Sequence, residues 1–96
     1  MKRLPPNVIA YKRTPEFTER SIPQALLGSH TTKVGVWGLI VVLEGSLIYR
    51  ILEPAVEEVL LTANSKGVVE PAVRHQVAPL ERVRFYVEFY RGSEQS

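Results

Sequence analysis

An all-β fold is predicted by three features of this sequence. Val, Ile, Tyr and Phe recur in short runs, the runs are broken by Gly, Pro, Asn and Ser, and no window keeps a helical period. Many short strands joined by tight turns point to a β-sandwich or a small β-barrel. A barrel of about eight strands encloses packed side chains or one small ligand. The length of 96 residues suits one domain with one core. Residues 1–96 are therefore read as a single domain, with 1–6 and 92–96 expected to fray.

The elements follow in order. Asn7 to Lys12 comes after Pro5-Pro6 and reads as an edge strand. Thr14 to Pro23 holds Pro15 and Pro23 and reads as a surface loop. Ala25-Leu26-Leu27 leads into Gly28 and His30. Val34 to Leu43 is apolar throughout, with Gly35 and Gly38 inside it, as suits a buried strand that bends or is closely approached. Glu44-Gly45-Ser46 reads as a turn, with Ser46 to Leu52 returning to complete a hairpin. Glu53-Pro54 breaks that strand.

Glu57 to Thr62 is a third run, followed by the loop Ala63 to Gly67. Val68-Val69 and His75-Gln76-Val77 are short strand pieces separated by Pro71, and Pro79 is expected to end the second. Val83 to Tyr90 alternates cleanly. Val83, Phe85, Val87 and Phe89 fall on one face; Arg84, Tyr86, Glu88 and Tyr90 fall on the other.

Composition excludes several functions. Twelve basic against ten acidic residues give a net charge of only +2, and the cations are scattered, so no nucleic-acid stripe is expected. The longest apolar stretch free of glycine, Leu39 to Leu43, is far short of the ~20 residues of a membrane span. The N-terminus lacks the apolar run of a secretory signal, so a soluble, cytoplasmic protein is expected. There is no Cys, which removes disulfides and thiol chemistry, and no Asp, which removes a Ser–His–Asp triad. No G-x-S-x-G, P-loop, G-x-G-x-x-G or H-E-x-x-H motif is present.

The chemistry left at neutral pH rests on two histidines, His30 and His75, and on the glutamates. A metal site usually needs three protein donors. His30, His75 and Glu88 are the candidate set, with Glu70 as another carboxylate; two imidazoles and a carboxylate with open positions would suit an Fe(II) oxygenase-type centre. A lone histidine in a small β-protein is more often a hydrogen-bonded structural residue. Trp37 is either a pocket wall or a core residue, and Lys33 either an anion ligand or a solvated charge. Glu70-Pro71 forms a rigid approach to His75, because proline fixes its own φ and restricts the residue before it.

The segments HTTKVGVWG (His30 to Gly38), VLEG (Val42 to Gly45), VVEPAVRHQV (Val68 to Val77) and VRFYVEFY (Val83 to Tyr90) resemble a TehB/YeaR-like cupin-like family. That family includes stand-alone proteins and the N-terminal domain of the tellurite-resistance protein TehB. The resemblance covers nearly the whole chain. It implies a cupin-like double-stranded β-helix, a small barrel or jelly roll, usually paired as a homodimer. It further implies a pocket that commonly holds one divalent metal, such as Zn, Fe, Ni or Mn.

By that resemblance His30 matches the first-motif histidine, His75 the second-motif one, and Glu70-Pro71 the turn before it. The H-x-H pair of the cupin pattern is absent, since Thr32 stands where the second histidine would be. Arg74 stands where relatives often carry an aromatic residue. The expected function is a binding protein that holds a small anion or metabolite, with or without a metal, in a stress or tellurite-resistance-like role. Its expected pocket comprises His30, Lys33, Trp37, Glu70, His75 and Glu88. The alternatives are a metal-dependent dioxygenase or isomerase, or a dimeric interaction module with a vestigial pocket. Methyl transfer is not expected, because no glycine-rich S-adenosylmethionine-binding loop is found.

Overall fold

The apolar run that begins at Trp37 does not turn back at Gly45. It continues as one bent strand to Ile51. The computed structural model describes residues 1–92. In chain order it contains β1 (Val8–Arg13), β2 (Phe17–Thr18), a single helical turn α1 (Gln24–Leu27), β3 (Trp37–Ile51), β4 (Glu57–Leu61), β5 (Gly67–Val69) and β6 (His75–Gly92). The fold is all-β and antiparallel, a sheet ordered β1-β6-β3-β4 in which β2 also pairs β6 and β5 also pairs β3.

The expected hairpin is replaced by a bulged bend. Pairing of β3 with β6 runs from Trp37↔Tyr90 to Ile51↔His75, with register shifts at Val42/Glu44 and Gly45/Leu47. Gly38, Ile40 and Val42 are buried before the bend, and Leu47, Tyr49 and Ile51 after it. The bulge thus switches the inward set from even to odd positions, so one strand feeds the same interior from both halves. Gly45 makes this possible. Its φ is +77°, and a Cβ there would lie 1.9 Å from the Arg82 carbonyl oxygen. Gly38 is closely approached as expected, since a Cβ would sit 3.1 Å from Val69 Cβ on the paired β5.

Pro79 does not end its strand. It lies opposite Leu47, beside the register shift, where the ladder is already interrupted and a missing N–H costs least. The alternation over Val83 to Phe89 holds: Val83, Phe85 and Val87 are buried, while Arg84, Tyr86 and Glu88 face outward. The core joins these to Ile40, Val42, Leu47, Tyr49, Ile51, Leu61, Val69 and Val77. Phe17 stacks edge-on against Phe85 with ring centroids 5.7 Å apart.

Two ion pairs link the N-terminal residues to the rest of the sheet. The Met1 ammonium donates to Glu57 Oε2 at 2.8 Å, and Lys2 pairs with Glu70 at 3.6 Å. Gly92 pairs with Val8, and the rest of the expected C-terminal fray lies outside the described residues. Among the described residues no helix is long and apolar enough to cross a membrane.

Candidate functional site

His75 opens β6, and the turn before it sets where its ring points. Pro71 precedes Ala72, whose φ of +61° lies in the left-handed region, and Val73 N–H donates back to the Glu70 carbonyl at 3.4 Å. Proline followed by a positive φ is the pattern of a type II turn, where glycine is the usual second residue. Alanine is strained there, and the surroundings hold it in place. The Ala72 N–H donates to Thr32 Oγ1 at 3.4 Å, and that hydroxyl donates on to the Val36 carbonyl at 2.9 Å. Thr32 therefore ties the His30 segment to the turn that aims His75.

The two histidines meet directly. Each backbone N–H donates to the other residue's carbonyl, at 2.9 and 2.8 Å, forming an isolated antiparallel bridge. Directly opposed residues project to one face, and the rings lie edge-to-face with centroids 5.5 Å apart. His75 is 3% exposed. Its Nδ1 lies 3.2 Å from the Val73 carbonyl, which can only accept, so Nδ1 carries the proton and Nε2 of the neutral ring is an acceptor. Burial pushes the His75 pKa below the ordinary histidine value; the Val73 contact opposes this and nearby His30 adds to it. Tyr49 stands edge-on to His75 at 6.0 Å and donates its hydroxyl to the Val68 carbonyl at 2.8 Å. Burial raises the Tyr49 pKa far above the tyrosine range, so this phenol stays protonated and structural.

Both imidazoles line an interior cavity of about 190 Å³. Its other walls are Phe17, Ile40, Val69, Val77, Phe85, Val87 and Phe89, with Pro23, Ala25 and Leu26 contributed by the segment around α1. Thr14 is the remaining polar lining residue, and its hydroxyl is engaged, accepting from Val87 N–H at 3.0 Å and donating to the Pro15 carbonyl at 2.8 Å. The histidines are therefore the polar feature of a carbon-lined space.

The other expected pocket residues lie elsewhere. Val87 and Phe89 point inward, so Glu88 between them points out. There its carboxylate accepts from Arg13 at 3.1 Å and from the Tyr90 hydroxyl at 2.8 Å. Those bonds, Tyr90 first, hold the Glu88 pKa below the usual carboxylate range. Burial and then Glu88 push Tyr90 up to about 12. Trp37 pairs with Tyr90 across the sheet and shares that outer face. Glu70 borders a separate hollow with Met1, Lys2, Glu53 and Glu57. Lys33 lines a surface hollow beside His30.

The candidate metal set of His30, His75 and Glu88 is thus not brought together. Among the described residues no group of three or more His, Cys, Asp or Glu is placed to hold a metal ion. The Nδ1–carbonyl bond of His75 is one that metal-bound histidines commonly make, but two imidazoles without a carboxylate fall short of the usual three donors. The residues present do not complete the metal set that the family resemblance implied. The cavity residues that sequence reasoning missed include Phe17, hidden in a segment read as plain loop, and Leu26, in the short run that leads into Gly28 and His30. The alternation of Val83 to Phe89 was the signal that could have found Phe85, Val87 and Phe89.

Comparison with known proteins gives a consistent result. A family described as "TehB-like domain" matches residues 12–87. The curated relatives include the probable S-adenosyl-L-methionine-dependent methyltransferase TehB of Haemophilus influenzae, 38% identical over 77 residues that cover 76% of this chain and 27% of the relative. The chain thus spans about a quarter of that relative's length. The crystal structure of H. influenzae TehB superposes with a TM-score of 0.84 at 33% identity, covering 91% of this chain and 32% of TehB. A protein of Escherichia coli K12 superposes with a TM-score of 0.86 at 21% identity over 98% of this chain and 100% of its own. The structure of Fe(II) HppE matches at a TM-score of 0.55 and 17% identity, over 66% of this chain and 34% of HppE, which is a likeness of fold.

Proposed function

The chain belongs to the TehB-like domain family, and we propose that it is a cupin-type binding domain whose interior takes one small, largely apolar molecule. The curled antiparallel sheet with a hollow inside supports reading the fold as a cupin-like double-stranded β-helix. The observation that carries the function is the His30–His75 pair set into an otherwise carbon-lined cavity of about 190 Å³. Binding sites commonly combine apolar walls with a few placed polar groups. An apolar cavity of about 150 Å³ is known to accept benzene, so this one suits a ring-sized body. The Nε2 acceptor of neutral His75 would orient it through one hydrogen-bond donor. The accompanying role is the stress or oxyanion response that the family resemblance suggests, with ligand binding as this domain's share.

Calorimetric titration with phenol and with toluene tests the reading. Phenol should bind more tightly than toluene, by roughly tenfold if a buried hydrogen bond of about 1–1.5 kcal/mol is gained. In His75→Phe, which keeps a ring at the position, that preference should disappear. Failure of both molecules to enter the native cavity would overturn the proposal.

A further inference from the structure

Resting on that reading, we infer that the ligand is an amphipathic monoanion, with a ring-sized apolar body in the cavity and an oxyanion head between Lys12 and Lys33. The interior cavity and a second hollow at the surface share two lining residues, His30 and Phe89. The remaining lining of the outer hollow is Tyr11, Lys12, Thr31, Thr32 and Lys33, which brings two cations and no carboxylate. Lys12 and Lys33, like Arg3, Arg20, Lys66, Arg74, Arg82 and Arg91, have no acidic side-chain partner among the described residues; what sets these two apart is that both line this hollow. Exposed positive charge is thus left uncompensated where the apolar space begins.

The inner end rejects an anion. Carbon walls cannot solvate a charge, and the Nε2 lone pair of His75 would repel an oxyanion. A free inorganic oxyanion therefore gains nothing from the cavity, and an uncharged ring gains nothing from the lysines. A ligand that carries both parts uses both hollows, head outward and body inward. The class is an aryl or compact alkyl carboxylate, or the same body bearing another oxyanion.

The probe is 4-hydroxybenzoate, compared with phenol and with acetate by calorimetry of the intact chain at low and moderate salt. Two exposed charge contacts of ordinary strength predict that 4-hydroxybenzoate binds roughly five- to tenfold more tightly than phenol. The advantage should shrink as salt is raised, and acetate should show no binding. In the double variant Lys12→Met/Lys33→Met the advantage should vanish while phenol binding stays unchanged. Equal binding of phenol and 4-hydroxybenzoate by the native chain, or an advantage that survives in the double variant, would overturn the ligand class and leave the cavity reading intact. Loss of phenol binding itself would overturn both.

Discussion

The inner and outer faces of β3 and β6 are made by alternate residues of the same strands, yet they do opposite things. Inward, Ile40, Val77, Phe85 and Val87 join His75 around a cavity. Outward, Glu88 is bonded to Arg13 and Tyr90, and the Arg13 guanidinium lies 4.3 Å above the Tyr86 ring. The richer chemistry is on the outside, and it is spent on mutual satisfaction. The inner face has little polar chemistry, and what it has lines the cavity. Position on the pleat, more than residue type, separates a candidate site from a solvated network.

The strongest way to break this contrast is at the bend that keeps both halves of β3 facing one interior. Gly45→Ala sets a Cβ against the Arg82 carbonyl at a positive φ, and should destabilise by at least about 3 kcal/mol or prevent folding, as read by denaturant unfolding. The next test compares neighbours. Phe85 is fully buried, so Phe85→Ala should cost about 3–5 kcal/mol, whereas Tyr86→Ala on the outer face should cost about 1 kcal/mol or less. Similar losses for the two would dissolve the distinction.

A third test uses pH. The folded pKa of His75 is lowered, so the unfolded chain binds more protons as pH falls below the ordinary histidine value of about 6.5. Stability from this group is fully present above that value and declines as pH drops toward the folded pKa. The acid limb of the melting temperature should be shallower in His75→Gln; an unchanged slope would show that the ring titrates alike in both states. The smallest effect is expected at Glu88→Gln, within about 1 kcal/mol of the parent. It should bring the Tyr90 pKa down from about 12 without restoring the ordinary value, since burial is its larger cause; ultraviolet titration measures this.

Much of the fold was legible because alternation is a local property. The Val83 to Phe89 pattern assigned every inward residue of that stretch correctly, and of the two readings offered for Gly38, a bend or a close approach, the structure shows the close approach. Gly45 was misread because a glycine with positive φ serves a hairpin turn and a bulge equally well; only the partner across the sheet decides. The two histidines were legible as the place to look, and the backbone bridge between them was not, since nothing local encodes a contact across 45 positions (75 − 30). Glu88 faces outward and does not join the expected pocket. Its strand face was read correctly, and alternation alone left open whether that face lined the barrel or met solvent.

The pairing of β3 with β6 also sets a timescale. Its partners are separated by 24 positions at one end (75 − 51) and 53 at the other (90 − 37). Hardly any of the core can form before those large loops close, so the entropic cost is met ahead of the burial that offsets it. Folding is therefore expected in the slow range of milliseconds to seconds typical of non-local β-proteins.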